Sequence, residues 1–255
     1  MAAIAQGPNG KKLEGTYQNT SGFTYQDEIL ESILKICECT PNGVLCFVPN
    51  YGMLENFKRR LKDNKLIGAK LESYKKIFWE PKQGTNAEFD QLIKEYEQAA
   101  KPNFKRTNQR SSGALFFAVF RGKVSEGLDF KDENARAVIA VSIPYPAAKD
   151  NQIILKKAYN SHFEKSRHIH PGHAWYEAQA FKALNQALGR CIRHRHDWGA
   201  IILLDHRFHA SRVTSGISGW ISGGLKKYDT FEKANQGLIE FIKKHTKTNN
   251  NLKSN

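Results

Sequence analysis

The run Ala114-Leu-Phe-Phe-Ala-Val-Phe120 leads directly into Arg121-Gly-Lys-Val-Ser-Glu-Gly-Leu-Asp-Phe130. The first part is a continuous apolar run, which is typical of a strand that is buried on both faces of a parallel sheet. The second part packs two glycines, two basic residues, a hydroxyl and two acids into one turn. Such a turn can approach a phosphate closely, although the same composition also suits an ordinary connection between a strand and a helix.

The rest of the chain repeats this alternation of strands and helices. Apolar runs predict further strands at 44–48, 77–79, 137–143 and 200–204. Helical spacing predicts a helix capped by Thr24, followed by helices at 51–63, 86–100, 150–162 and 175–194. This alternation defines an α/β fold, a parallel sheet with helices on both faces. Residues 1–22 are expected to form an extended lead-in, residues 23–246 one domain, and residues 247–255 a disordered tail.

The amino-acid composition indicates which kind of partner the chain binds. The chain has 39 Lys and Arg against 25 Asp and Glu, so its formal net charge is +14, which favours a polyanionic partner. The mean hydropathy is −0.58 and the apolar runs are short, so no membrane partner is expected. The start of the chain shows no signal peptide, which favours a cytoplasmic or nuclear protein. The four cysteines are expected to be reduced thiols, and no metal site is expected.

A second polar segment, Gln186-Ala-Leu-Gly-Arg-Cys-Ile-Arg193, falls inside the last predicted helix. At about 100° per residue, one narrow face carries Gln186, Gly189, Arg190 and Arg193. Paired arginine forks match phosphate oxygens, and glycine leaves close access between them. Alternatively, Arg190 and Arg193 pair with carboxylates such as Asp129. Arg195 lies on the opposite side, where it is solvated or faces nucleic acid.

These two segments resemble motifs V and VI of the XPD-like iron–sulfur DNA helicases of superfamily 2. The resemblance covers nearly the whole chain and includes Tyr17-Gln-Asn-Thr20, Gln26-Asp-Glu28, Gly43-Val-Leu-Cys-Phe-Val-Pro-Asn-Tyr51, Asn134-Ala-Arg-Ala-Val138, Trp175-Tyr-Glu177 and Asp205-His-Arg-Phe208. It implies a RecA-like, P-loop NTPase-like helicase C-terminal domain, which is the second motor domain of such a helicase. The resemblance is greater to a DNA-repair branch of the family, and a telomere-length-regulating branch, which Asp205-His-Arg-Phe208 resembles more, is the alternative.

The resemblance also implies roles for individual residues. In the family, the glutamine and two arginines of motif VI reach ATP on the first motor domain, which carries over to Gln186, Arg190 and Arg193, with the arginines as fingers. The residues implied to bind ATP or couple it to DNA are Glu126, Gly127, Asp129 and Gly189. The residues implied or expected to face DNA are Asn50, Tyr51, Arg121, Lys123, Ser125 and Arg195. Relatives commonly have Ser at the position of Asn50, where an amide can also donate a hydrogen bond.

The chain contains no Gly-x-x-x-x-Gly-Lys-Ser/Thr loop, no Asp-Glu-Ala-His box and no four-cysteine cluster set. ATP and Mg²⁺ are therefore expected to be shared with an absent first motor domain. The 4Fe-4S cluster is expected in the intact family protein but not in this chain.

The implied function is that of an ATP-dependent 5′-to-3′ DNA helicase acting in DNA repair in the nucleus. Its expected partners are single-stranded or forked DNA, the first motor domain and DNA-repair proteins, and the chain alone is expected to be inactive. The alternative is a non-catalytic, basic nucleic-acid-binding module with a degenerate motor fold.

Overall fold

The computed structural model of the protein describes residues 1–102, 113–190 and 197–252, with side chains described as far as residue 246. Within these residues the sheet consists of β1 (Ala2–Ile4), β2 (Gly43–Val48), β3 (Lys76–Trp79), β4 (Ala114–Val119), β5 (Ala137–Val141), β6 (Ala200–Leu204) and β7 (Lys226–Tyr228). The strand order is β3-β4-β2-β5-β6-β1-β7, and every neighbouring pair is parallel. Every residue of the four adjacent strands β4, β2, β5 and β6 is buried, which explains their continuous apolar sequences.

Helices cover both faces of this sheet. They are α1 (Phe23–Cys39), α2 (Tyr51–Asp63), α3 (Lys65–Tyr74), α4 (Asn86–Ala100), α5 (Lys123–Gly127), α6 (Asn151–Arg167), α7 (Gly172–Leu188), α8 (Ser211–Thr214), α9 (Gly219–Ser222) and α10 (Phe231–Leu252). Alternate residues of β2 enter two separate cores, because successive side chains of a strand point to opposite faces. Leu45 and Phe47 pack with α4 and α7, whereas Val44 and Cys46 pack with α1, α2, α3 and α10. The predicted α/β architecture is therefore confirmed.

Several boundaries differ from the sequence prediction. The helix predicted to reach residue 194 ends at Leu188, with Gly189 as its C-cap, because glycine has a low helix propensity. The first helix begins at Phe23 after Gly22, so Thr24 lies within it and does not cap it. The short strands β1 and β7 were not predicted, since three residues are too few to show a pattern and their pairing partners are distant in sequence. None of the described helices is both long and apolar enough to cross a membrane.

The segment 1–22, expected to be an extended lead-in, contributes to the folded unit. It supplies β1 between β6 and β7, and Leu13 is fully buried. Its turn at 7–11 is tied to α1, because Glu28 accepts hydrogen bonds from the backbone N–H groups of Asn9, at 2.8 Å, and Lys11, at 3.2 Å. At the other end, α10 extends to Leu252, into the segment for which disorder was predicted, and residues 253–255 lie outside the described part of the chain.

A buried lysine lies at the opposite edge of the sheet from the loops described below. Lys75 precedes β3, is 1% exposed, and donates to the carbonyl oxygens of Thr40 at 2.7 Å and Asn42 at 2.8 Å. Burial disfavours its charged form and lowers its pKa from 10.5 to about 8. The folded protein therefore binds fewer protons than the unfolded chain between about pH 8 and 10.5, so this group makes folding more favourable as the pH rises through that window.

Lys75→Met is expected to remove this pH dependence. Relative to the variant, the wild-type chain should gain up to about 3 kcal/mol in free energy of unfolding between pH 8 and pH 10.5. Burial also raises the pKa of Cys37, but that thiol titrates in both proteins and largely cancels in the difference. Urea unfolding at several pH values measures the effect, and a stability difference that does not change with pH would contradict it.

Candidate functional site

The loops that follow β2, β4 and β5 meet at the carboxyl edge of the sheet, where open parallel sheets bind their ligands. Together with the N-terminal halves of α6 and α7 they enclose a groove of about 460 Å³. The polar and aromatic residues that line it include Asn50, Tyr51, Arg121, Tyr145, Lys156 and Trp175. Three of the residues expected to face DNA, Asn50, Tyr51 and Arg121, are thus brought together.

Asn50 and Tyr51 begin α2. The Asn50 side-chain oxygen caps the helix by accepting from the Met53 backbone N–H at 2.9 Å, so its amide nitrogen is the atom available to donate to an anion. Tyr51 is half-buried, and its pKa is raised by burial and by the charge of Glu80. Across the groove, the ring of Tyr145 stacks on that of Tyr176 with centroids 5.4 Å apart. The groove therefore offers a hydrogen-bond donor and flat aromatic surfaces, both of which suit a nucleic-acid strand.

Arg121 lies at the tip of the turn between β4 and α5. Its φ of +64° is in the left-handed region that residues with side chains rarely adopt. One guanidinium nitrogen donates to the Gln179 carbonyl at 2.8 Å, and partial burial lowers the pKa of the side chain. The guanidinium is therefore held at the wall of the groove.

Two other predicted DNA-facing residues of this segment point elsewhere. The Lys123 ammonium donates to the Asn86 side chain at 3.0 Å and lies over the Phe89 ring, both on α4. The Ser125 side chain is buried, and its hydroxyl donates to the Gly122 carbonyl at 3.1 Å. Arg195 lies outside the described residues.

A buried carboxylate that the sequence did not single out lies beneath the turn. Glu80 follows β3 and accepts from the backbone N–H groups of Val119 at 2.7 Å and Val124 at 3.3 Å. Its pKa is raised because burial disfavours the charged form, and the backbone N–H groups counteract part of that shift. These N–H groups are therefore already occupied by an anion of the protein itself, which weakens the interpretation of the turn as a phosphate cradle.

Arg190 contacts the C-terminal end of α5. Its guanidinium donates to the carbonyl oxygens of Ser125 at 3.0 Å, Glu126 at 3.1 Å and Leu128 at 2.8 Å, and it forms an ion pair with Asp129 at 3.1 Å. The pairing with Asp129, which the sequence left open as an alternative, is thus present.

The remaining predicted nucleotide-side residues lie on α5 or at the end of α7 and beyond. Gln186, Glu126 and Gly127 are exposed, and a side chain on Gly127 would begin in open space with respect to the described residues outside its own helix backbone. Gly189 is the half-buried C-cap of α7, and Arg193 lies outside the described residues. Among the described residues, no three His, Cys, Asp or Glu side chains form a group that could hold a metal ion.

Comparison with known proteins defines the class of this domain. A profile of the helicase C-terminal domain matches residues 33–224. A solved XPD helicase superposes with a TM-score of 0.59 at 19% identity, covering 90% of this chain and 35% of that one. A second XPD structure gives a TM-score of 0.58 at 16% identity, covering 89% of this chain and 39% of that one. The sheet is therefore the RecA-like fold that the sequence predicted.

The chain belongs to the helicase C-terminal domain family. It is 45% identical over 249 residues to the Fanconi anemia group J protein homolog of Gallus gallus, covering 97% of this chain and 19% of the relative. It is 38% identical over 237 residues to the regulator of telomere elongation helicase 1 homolog of Aedes aegypti, covering 92% of this chain and 22% of the relative. The chain thus spans about a fifth of the length of these relatives.

Proposed function

We propose that this domain is the second motor domain of an ATP-dependent helicase that moves 5′ to 3′ on single-stranded DNA and acts in DNA repair in the nucleus. The observation that carries the proposal is that α5 joins two candidate surfaces. The turn before α5 presents Arg121 to the groove, and the carbonyl groups at its other end hold Arg190. Five residues of helix therefore separate a DNA-facing cation from an arginine of the motif VI segment.

In this proposal the DNA strand binds in the groove. The Arg121 guanidinium and the Asn50 amide donate to phosphate oxygens, and Tyr51 supplies an aromatic surface for a base. Lys123 and Ser125, which were expected to face DNA, point away from the groove and are not part of this contact, whereas the resemblance adds Arg195 to the proposed DNA contacts. The net charge of +14 supports binding to a polyanion.

The motif VI segment faces ATP in this proposal. ATP and Mg²⁺ are held by the first motor domain, and Gln186, Arg190 and Arg193 reach them when the two domains close. The arginines then stabilise charge on the transferred γ-phosphoryl group. Glu126, Gly127, Asp129 and Gly189 surround Arg190 or lie next to it in sequence, so they would pass the change in nucleotide state to α5.

The proposed partners are single-stranded or forked DNA, the first motor domain of the same parent protein and DNA-repair proteins. The names of the two relatives support this assignment, since one is a Fanconi anemia protein homolog and the other a telomere elongation helicase homolog. The 4Fe-4S cluster of the family would belong to the remainder of the parent.

The full 255-residue chain is expected to bind a deoxythymidine oligonucleotide but not to hydrolyse ATP appreciably, because it carries only one side of the nucleotide site. Fluorescence anisotropy measures DNA affinity, and phosphate release measures turnover in this chain and in the intact parent. Turnover by the chain alone at the rate of the intact parent would refute the assignment. An intact parent that binds DNA without DNA-stimulated turnover would favour the non-catalytic module.

A further inference from the structure

We propose that Glu80 is a positioning residue that directs Arg121 toward the DNA strand. This inference rests on the proposed function, because it concerns the DNA-binding side of the same site. Glu80 is 2% exposed and lies beneath the turn, so it does not itself reach a strand in the groove. It would act through the backbone of residues 119–124, whose geometry it fixes.

The carboxylate of Glu80 bridges the two ends of this turn. One oxygen accepts from the N–H of Val119, the last residue of β4, at 2.7 Å, and the other accepts from the N–H of Val124, in the first turn of α5, at 3.3 Å. The backbone of Glu80 is itself fixed, because its own N–H donates to the Phe117 carbonyl at 2.9 Å. A single side chain anchored to the sheet thus sets how closely α5 approaches the end of β4.

Arg121 lies at the apex of the bridged segment. Its left-handed backbone, with φ of +64°, is unfavourable for a residue with a side chain and must be maintained by its surroundings. The N–H of Gly122 donates to the Val119 carbonyl at 2.9 Å and completes the turn. Since Glu80 holds both ends, it stabilises the conformation that places the Arg121 guanidinium at the groove wall.

The turn has a glycine, Gly122, at the position where the Glu80 carboxylate leaves no room for a side chain. A Cβ atom on Gly122 would lie 2.4 Å from one Glu80 carboxylate oxygen and 2.7 Å from the other. Glycine at position 122 is therefore required by the carboxylate and not by its own φ of −84°, which any residue can adopt. The position of the Glu80 carboxylate thus explains why residue 122 is one of the two glycines of segment 121–130. No ligand is needed to explain that glycine.

Electrostatics and positioning predict opposite results when Glu80 is neutralised. Removing one negative charge raises the net charge of the chain from +14 by one, which by itself strengthens binding to a polyanion. Loss of the bridge would misdirect Arg121 and weaken binding. Glu80→Gln keeps the size of the side chain but places an amide donor against one of the two N–H groups, so it tests the bridge with little change in packing.

The experiment measures the affinity of the 255-residue chain for a deoxythymidine oligonucleotide at several salt concentrations. Arg121→Ala is expected to raise Kd roughly tenfold, the effect of losing one hydrogen bond to a charged group. It should also lower the salt slope, which is the slope of log Kd against log salt concentration, by about one. Glu80→Gln is expected to raise Kd about three- to fivefold, and the double variant should bind no more weakly than Arg121→Ala alone. Glu240→Gln removes an exposed carboxylate on α10 and should not weaken binding.

Thermal unfolding followed by circular dichroism separates positioning from loss of fold. A purely structural role would lower Tm and the active fraction without lowering the salt slope. Wild-type affinity in Glu80→Gln, or additive losses in the double variant, would overturn the role of Glu80 while leaving the proposed function intact. A wild-type chain that does not bind the oligonucleotide would instead overturn the proposed function itself.

Discussion

Replacing Arg190 by alanine in the intact parent protein is expected to lower DNA-stimulated ATP turnover by a factor of about 10³, the lower range for loss of an arginine finger. Two effects act in the same direction. The variant removes the cation proposed to stabilise the γ-phosphoryl group, and it leaves the carbonyl groups of Ser125, Glu126 and Leu128 without the guanidinium that binds them. DNA affinity should change little, because the end of α5 that we propose to face DNA is held separately by Glu80.

Two variants make this measurement specific. Arg190→Lys keeps the charge but cannot reproduce a fork that contacts three carbonyls and a carboxylate, so turnover should stay low. Arg212→Ala, on α8, removes an arginine whose side chain is 75% exposed and pairs with Glu177 at 2.8 Å, and should retain turnover. Normal turnover in both Arg190→Ala and Arg193→Ala would refute the assignment of fingers.

Arg136→Met is expected to cause the largest loss of stability among the ion-pair variants considered. Arg136 is 7% exposed, and one guanidinium nitrogen donates to Asp197 at 2.9 Å and to the Trp198 carbonyl at 2.7 Å. The guanidinium also lies over the Trp198 ring, 4.5 Å from its centre. Removing it takes one charged partner away from a carboxylate whose side chain is fully buried, which costs about 3 kcal/mol.

Urea unfolding of the 255-residue chain measures this effect, and Arg60→Met provides the matched control. Arg60 also pairs with an aspartate, Asp27, through two hydrogen bonds of 2.7 Å, but the two side chains are 20% and 27% exposed. Since solvent screens that pair, its loss should cost roughly 1 kcal/mol. Equal losses in the two variants would show that burial does not set the strength of the Arg136 pair.

The sequence predicted those parts of the fold that depend on local patterns. The runs that became β2, β4 and β6 are continuous, apolar and bounded by turn residues, so they identified the centre of the sheet. β1 and β7 were not predicted because three residues carry no period, and their pairing joins positions about 200 or more residues apart. The end of α7 was misplaced because Gly189 was treated as a gap on a helical face and not as a C-cap.

The candidate site was predictable where a residue directly follows a strand. Asn50 and Arg121 follow β2 and β4, so the edge rule for parallel sheets placed both at the groove. Glu80 also follows a strand, β3, but a single glutamate after a four-residue strand gave no signal of burial. The contacts of Arg190 with α5 could not be derived from helical spacing, because they depend on where α7 ends. The roles of all the site residues, including Gln186, Arg193 and Arg195, stay predictions.

The position of β1 has a consequence for synthesis of the protein on the ribosome. Ala2 pairs with Ile202 on one side and with Lys226 on the other, so the first of the seven described strands in chain order lies between the last two. Among the described strands, β7 pairs only with β1. The sheet therefore cannot be completed until residue 228 has left the exit tunnel, and β1 waits for strand partners that are translated about 200 residues later.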